Sequence, residues 1–355
     1  MSLPRRHLIV IGVALLLVAG VAVAWFVTSR DDDGDAGRLG SAVALAPEGS
    51  DRLGWTDWAG LRENLGIDLT AASSTTDVED FLAQGFDADL TSASALVSSA
   101  PTLQEEFGWS PATIDWELFA QGEEGAIVLM GLPESLDLDE VESSLADLGY
   151  QEPDSEDGFW LGGPDLLARL GNTLSQELAF FTLDRDQRVL AASDDSATLV
   201  TWRDEQRGED LDDPVSAVTE DVEGALSASI YTGDLACVAL AITQADDIDR
   251  TRAAELIDEA GEVNPLRAFA IAERTDGDVR VAMAFESEEQ ARTNADTRAV
   301  LAAGPAPGQG GSFPDRFHLG DVTADGELVT MDLEPVEGSY VMSDLANGPV
   351  LFATC

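Results

Sequence analysis

The sequence predicts an α+β protein: an N-terminal transmembrane helix followed by antiparallel sheets with helices packed on one face, in two degenerate repeats. Three observations predict it. The stretch from Leu8 to Val27 reads LIVIGVALLLVAGVAVAWFV, twenty residues without a polar side chain. From Ile114 onward, short apolar runs bounded by turn residues alternate with amphipathic stretches of helical period. After about Ala228 the same order of hairpin and helix returns.

As a helix rising about 1.5 Å per residue, the first run spans about 30 Å, the hydrocarbon thickness of a bilayer. Arg5 and Arg6 precede it, and Arg30 beyond it is followed at once by Asp31, Asp32 and Asp33. By the positive-inside rule, residues 1–7 are expected in the cytoplasm and residues 8–27 in the lipid bilayer of the cell membrane as a single-pass signal-anchor. The main domain is then extracytoplasmic. A cleaved signal peptide is the competing reading, because Ala22, Val23 and Ala24 form an A-x-A site with cleavage after Ala24. Trp25, Phe26 and Val27 carry the apolar run past that site, which favours retention.

Residues 28–50 are polar, rich in Gly and Asp and without period, and read as an acidic flexible stalk. A first α+β unit is expected over residues 51–210. Thr56 or Asp57 caps a helix in which Trp58, Leu61 and Leu65 share one stripe, and Gly66 closes it. Phe81, Leu82, Phe86 and Leu90 suggest a further short helix. Ile114 to Ala120 and Ala126 to Leu132 read as strands around the turn GEEG, and Leu138 to Leu148 as an amphipathic helix closed by Gly149. Short strands around Tyr150 and Phe159 and a helix near Pro164 to Leu170 follow. AFFTLD, RDQ and RVLAAS then make a hairpin, with Ser193 capping a helix to about Glu205.

A second α+β unit with a C-terminal hairpin is expected over residues 211–355. Ala228 to Tyr231 and Cys237 to Ile242 read as strands, Asp249 to Ala260 as a helix closed by Gly261, and LRAFAIAERTDGDVRVAMAF as a hairpin turning at Asp276 and Gly277. Ser287, with Gln290 at N3, reads as a capping box for a helix to about Leu301. RVLAAS at Arg188 and RVAMAF at Arg280 hold equivalent places in the two units. The hairpin VTADGELVTMDL, a short helix near Tyr340 to Leu345 and the tail VLFATC end the chain.

Composition bounds the partners. Of 19 basic residues, Arg5, Arg6 and Arg30 precede residue 31, so residues 31–355 hold 16 arginines, no lysine and all 68 acidic residues, a net charge of −52. Nucleic acid is excluded, because it needs a basic face for counterion release. A partner steered by this field is cationic, and an envelope protein fits the compartment. Cys237 and Cys355 are the only cysteines, and outside the cytoplasm such a pair reads as one disulfide.

Motifs that carry chemistry are scarce. The outer part has one histidine, His318, and no G-x-S-x-G, so a nucleophilic triad lacks its parts. GPAPGQGGS lacks the lysine of a phosphate-binding loop. Asp321, Thr323, Asp325, Gly326, Leu328 and Asp332 match positions 1, 3, 5, 6, 8 and 12 of a calcium loop. Their flanks read as strands, however, and the last position lacks the bidentate Glu. Asp321, Asp325 and Asp332 are therefore only a weak calcium candidate, and no catalytic residue, metal or cofactor is assigned. These observations point to a membrane-anchored extracytoplasmic binding or scaffolding protein, non-catalytic, of unknown ligand. The alternative is a cell-envelope hydrolase, carbohydrate-directed, using a carboxylate pair beside tryptophan platforms.

The signal-anchor, the lysine-free acidic outer part and the endings LACVAL and GPVLFATC resemble single-pass anchored or secreted proteins of unknown function from high-GC actinobacteria. That resemblance implies a compartment and a type of organism and carries no activity.

Overall fold

The computed structural model describes residues 37–155, 158–204 and 213–355. The chain divides into two units, Met1–Arg38 and Leu39–Cys355. The expected span at residues 8–27 lies outside the described residues, among which no helix is long and apolar enough to cross a membrane.

The strands are β1 (Ser50–Thr56), β2 (Trp116–Gly122), β3 (Gly125–Gly131), β4 (Trp160–Leu161), β5 (Phe180–Asp184) and β6 (Val189–Ser193). The second half of the chain adds β7 (Ser227–Thr232), β8 (Ala268–Glu273), β9 (Val279–Ala284), β10 (Phe317–Asp325) and β11 (Leu328–Pro335). All of them join one antiparallel sheet in the order β10-β11-β9-β8-β7-β1-β2-β3-β6-β5-β4. The fold is α+β, as expected, but the expected separate sheets are one. The joining strand, β1, begins where the sequence reads a stalk and ends at the predicted helix cap. Its residues SDRLGWT have little strand propensity, with Asp51, Arg52 and Gly54 among them. Partners on both sides hold it: Leu53 lies opposite Ala120 and Ile230, and Trp55 opposite Leu118 and Ala228.

Helices cover both faces of this sheet, not the one face expected. On one face, Leu53, Trp55, Leu118, Leu129, Ile230 and the alanines of β8 and β9 form a single cluster running across both halves. The helices Arg38–Val43, Ser196–Asp204 and Asp213–Asp221 cover it through Leu39, Val43, Leu199, Trp202 and Val218. On the other face the core is split. One cluster lies against β3, β5 and β6 under the helices Trp58–Leu65, Thr75–Asp87 and Leu138–Leu148. The other lies against β8, β9 and β11 under the helices Asp247–Ala260 and Glu288–Ala302. The physical reason is legible in β8 and β9, where small Ala270, Ala272 and Ala282 alternate with large Phe269, Ile271, Val281 and Met283. Both faces are apolar, so both are buried.

Local signals place most helix ends. The Asp57 carboxylate accepts from Gly60 N, and Gly66 closes the helix Trp58–Leu65 in the left-handed region at φ 66°. Ser287 accepts from Gln290 N as expected, whereas Gln290 Oε1 turns to Glu286 N at 3.3 Å, so only half of the capping box forms. Ser193 does not cap the next helix. Its hydroxyl donates to Ala126 O at 2.7 Å across the sheet, and Asp195 accepts from Ala197 N instead. The predicted stalk contains the helix Arg38–Val43, with Leu39, Ala42 and Val43 buried.

The predicted strand from Cys237 to Ile242 is also corrected. Gly233, at φ 54°, turns the chain out of β7 into the helix Gly233–Val238, and a 3-10 turn follows at Ile242–Gln244. Ala236 and Leu240 fill the core while Val238 is 61% exposed, a helical spacing that an eight-residue apolar run conceals. Cys237 is bonded to Cys355 across a sequence separation of 118, with Cα atoms 5.4 Å apart. The tail is thereby fastened onto the second half, where Val350 N also donates to Leu240 O at 3.0 Å.

Candidate functional site

An open groove of about 410 Å³ lies at the edge of the second half. It forms where the helix Asp213–Asp221 runs past the end of β9 and the turn between β10 and β11. The turn is set by Gly326 at φ 55°, and Leu328 lies in register with Ala284. Phe285 N donates to Glu327 O at 2.9 Å, which holds the turn against the strand end. Arg280 fixes the other wall: its Nε and Nη2 donate to both oxygens of Asp221 at 2.7 and 2.8 Å, and its Nη1 donates to Asp332 at 2.8 Å. Those two carboxylates hold the guanidinium proton more firmly than water would, the bonds to Asp221 contributing most.

The floor of the groove is apolar, made by Ala217, Ala284, Phe285 and Leu328, and its rim carries Glu220, Asp221, Asp325 and Glu327. Phe285 is itself buried and takes the Arg298 guanidinium over its ring at 5.3 Å. The Ser216 hydroxyl donates to Glu220 at 2.9 Å. Asp325 and Glu327 are exposed at the mouth. With Asp221 taken by Arg280, the three carboxylates of Glu220, Asp325 and Glu327 around a small apolar floor suit a group that is both cationic and partly apolar, such as an alkylammonium or an arginine side chain.

Asp325 lies on the groove rim, Asp332 is half-buried and committed to Arg280 and Arg274, and Asp321 sits exposed on β10 beside a register shift. Among the described residues no group of three His, Cys, Asp or Glu side chains is arranged to hold a metal ion. The other three groove acids carry no sequence signal, because helix and turn are 104 or more positions apart at Asp221 and Asp325 and meet only through the sheet. His318 is exposed.

Tryptophans serve the core. Trp55, Trp58, Trp109, Trp160 and Trp202 are buried, and half-buried Trp116 stacks on Trp55 with ring centroids 5.8 Å apart. The described surface thus offers no exposed tryptophan platform for a sugar.

No family model matches the chain, and no curated protein matches it. Among solved structures, crystal form I of TP0453 is similar over 88% of this chain and 98% of that one, at 9% identity and a TM-score of 0.39. Crystal form III of TP0453 is similar over 85% of this chain and 96% of that one, at 8% identity and a TM-score of 0.37. At that level no property passes from one protein to the other.

Proposed function

We propose that the protein is a non-catalytic binding or scaffolding protein, tethered by residues 8–27 with its N-terminus cytoplasmic, whose extracytoplasmic domain captures a cationic partner in the groove beside Asp325 and Glu327. The observation that carries this reading is the acidic rim around an apolar floor on a chain of net charge −49. The disulfide between Cys237 and Cys355 supports an oxidising compartment. The resemblance to actinobacterial anchored proteins belongs to the same reading. So does the repeat: β6, after Arg188, and β9, which holds Arg280, each lie third from β1 on opposite sides of the sheet.

Calorimetric titration of the detergent-solubilised full chain with a short Arg- and Leu-containing peptide tests the reading. Binding is expected to weaken about tenfold in the Asp325→Asn, Glu327→Gln double variant and to fall as salt rises. A peptide with Arg replaced by Gln that binds equally well overturns the reading, as does turnover by the purified protein in a hydrolase screen.

A further inference from the structure

The split core on one face of the sheet has a cause. Between its two apolar clusters, four neighbouring strands place polar residues in one row: Glu117 on β2 lies opposite Thr56 on β1, Thr56 opposite Ser227 on β7, and Ser227 opposite Glu273 on β8. Cross-strand partners on one face have Cβ atoms about 5 Å apart, so the row is continuous. Glu117, Thr56 and Ser227 are fully buried and Glu273 is 7% exposed. Among the described residues the Thr56 and Ser227 hydroxyls have no hydrogen-bond partner. Unpaired buried hydroxyls are costly in a core, and two side by side between carboxyl groups are not a packing solution.

Two segments from opposite ends of the chain cover the row. Residues 88–96 lie over β1 so closely that a Cβ on Gly54 would meet Ala93 O at 2.6 Å. They also supply Ser94 Oγ and Ala95 N, at 2.7 and 2.6 Å, to the Glu117 carboxyl, which takes Trp58 Nε1 at 3.0 Å as well. The helix Val341–Leu345 comes from the other side, and its neighbour Ala346 accepts from the Tyr231 hydroxyl at 2.6 Å. The segments are clasped by Asp89, held at φ 61°, whose carboxyl accepts from the backbone N and hydroxyl of Ser343. Asp89 is 7% exposed.

We propose that this row is a protonation-controlled latch: with Glu117 and Glu273 neutral the clasp held by Asp89 stays closed, and their ionisation parts residues 88–96 from the helix Val341–Leu345 and admits water to Thr56 and Ser227. Among the described residues no cation is placed to compensate the charges. The charged groups acting on Glu273 and Asp89 are Asp89 and Asp344 respectively, both acidic, while neutral donors alone face Glu117. Arginines on the flanking elements are engaged elsewhere. Arg62 donates to Pro111 O and Ile114 O, Arg52 lies over the Tyr231 ring, and Arg274 pairs with Asp332. Burial accordingly raises Glu117 to about 7 and Glu273 to about 8, with charged Asp89 repelling Glu273 further, while at Asp89 the Ser343 donors favour the carboxylate and oppose the upward push of burial. This latch is independent of the groove, which is lined by other residues.

Hydrogen exchange of the full chain in detergent, at about pH 5.5 and about pH 8.5 and corrected for intrinsic rates, tests the latch. Protection of residues 88–96 and 341–346 is expected to fall about tenfold at the higher pH, with the β10–β11 hairpin unchanged. Glu273→Gln is expected to keep part of that protection and the Glu117→Gln, Glu273→Gln double variant most of it, with Glu117→Gln alone expected to keep part if the double variant does not fold. Protection that is unchanged with pH in the unaltered chain overturns the proposal. So does an equal loss in the variants or throughout the hairpin, which reports general charge repulsion.

Discussion

Replacing both Cys237 and Cys355 by Ser removes a cross-link that closes a separation of 118 residues. In the chain-entropy account, opening a loop of that length frees the unfolded chain by about 5 kcal/mol at room temperature. The substitutions themselves cost little, because Cys355 is exposed and Cys237 half-buried. The folded tail keeps other anchors. Arg298 Nη1 donates to Phe352 O at 2.6 Å, and the Phe352 ring packs on Phe313 with centroids 5.1 Å apart. The double variant is therefore expected to fold, with its tail fraying first and its urea midpoint lowered. With a slope near 3 kcal/mol per molar, the full effect moves the midpoint by about 1.7 M. Urea titration followed by circular dichroism, with and without reductant, checks both parts: reductant should shift the unaltered chain and leave the variant where it is. A variant whose midpoint lies within about 0.2 M of the unaltered chain refutes the loop-closure reasoning.

Two further outcomes follow from buried charges. Glu117 has a folded pKa raised to about 7 from a usual 4.5, so its stabilisation is present below the lower value and is lost as pH climbs to the higher one. Its share of that loss is about 3 kcal/mol between those limits, measurable as a falling urea midpoint from about pH 4.5 to 7. Glu117→Gln should be less stable in acid yet show a flatter profile, and a variant as steep as the unaltered chain sinks the assignment. Arg298, fully buried with its pKa lowered to about 9, faces neutral acceptors: Asn294 Oδ1, Asn264 O and Phe352 O. Arg298→Met strands those acceptors and is expected to cost about 2 to 4 kcal/mol. Arg298→Lys should not rescue it, because one ammonium lacks the planar fork that reaches all three.

Much of the fold was legible in the sequence. Asp57, Gly66, Gly149 and Ser287 mark helix ends by local hydrogen bonding and local backbone freedom, and the structure keeps them there. The hairpins of β2 with β3, β5 with β6 and β8 with β9 follow from turn residues between short apolar runs. β1 was not legible, since Gly54 argues against a strand until Ala93 O is seen to need its missing Cβ. Nor was the helix Gly233–Val238, where apolar side chains at strand length hide a helical period.

For the sites the division is sharper. The sequence by itself determined the cysteine pairing, because two cysteines allow only one intramolecular bond, and it determined the acidic surface, because charge is additive along a chain. It could not determine that Glu117, Thr56, Ser227 and Glu273 share one row, or that Asp221 and Asp325 share one groove. Those neighbours are made by strand register and by which helix crosses which strand end. Register depends on the burial of both faces at once, and no single segment carries that information.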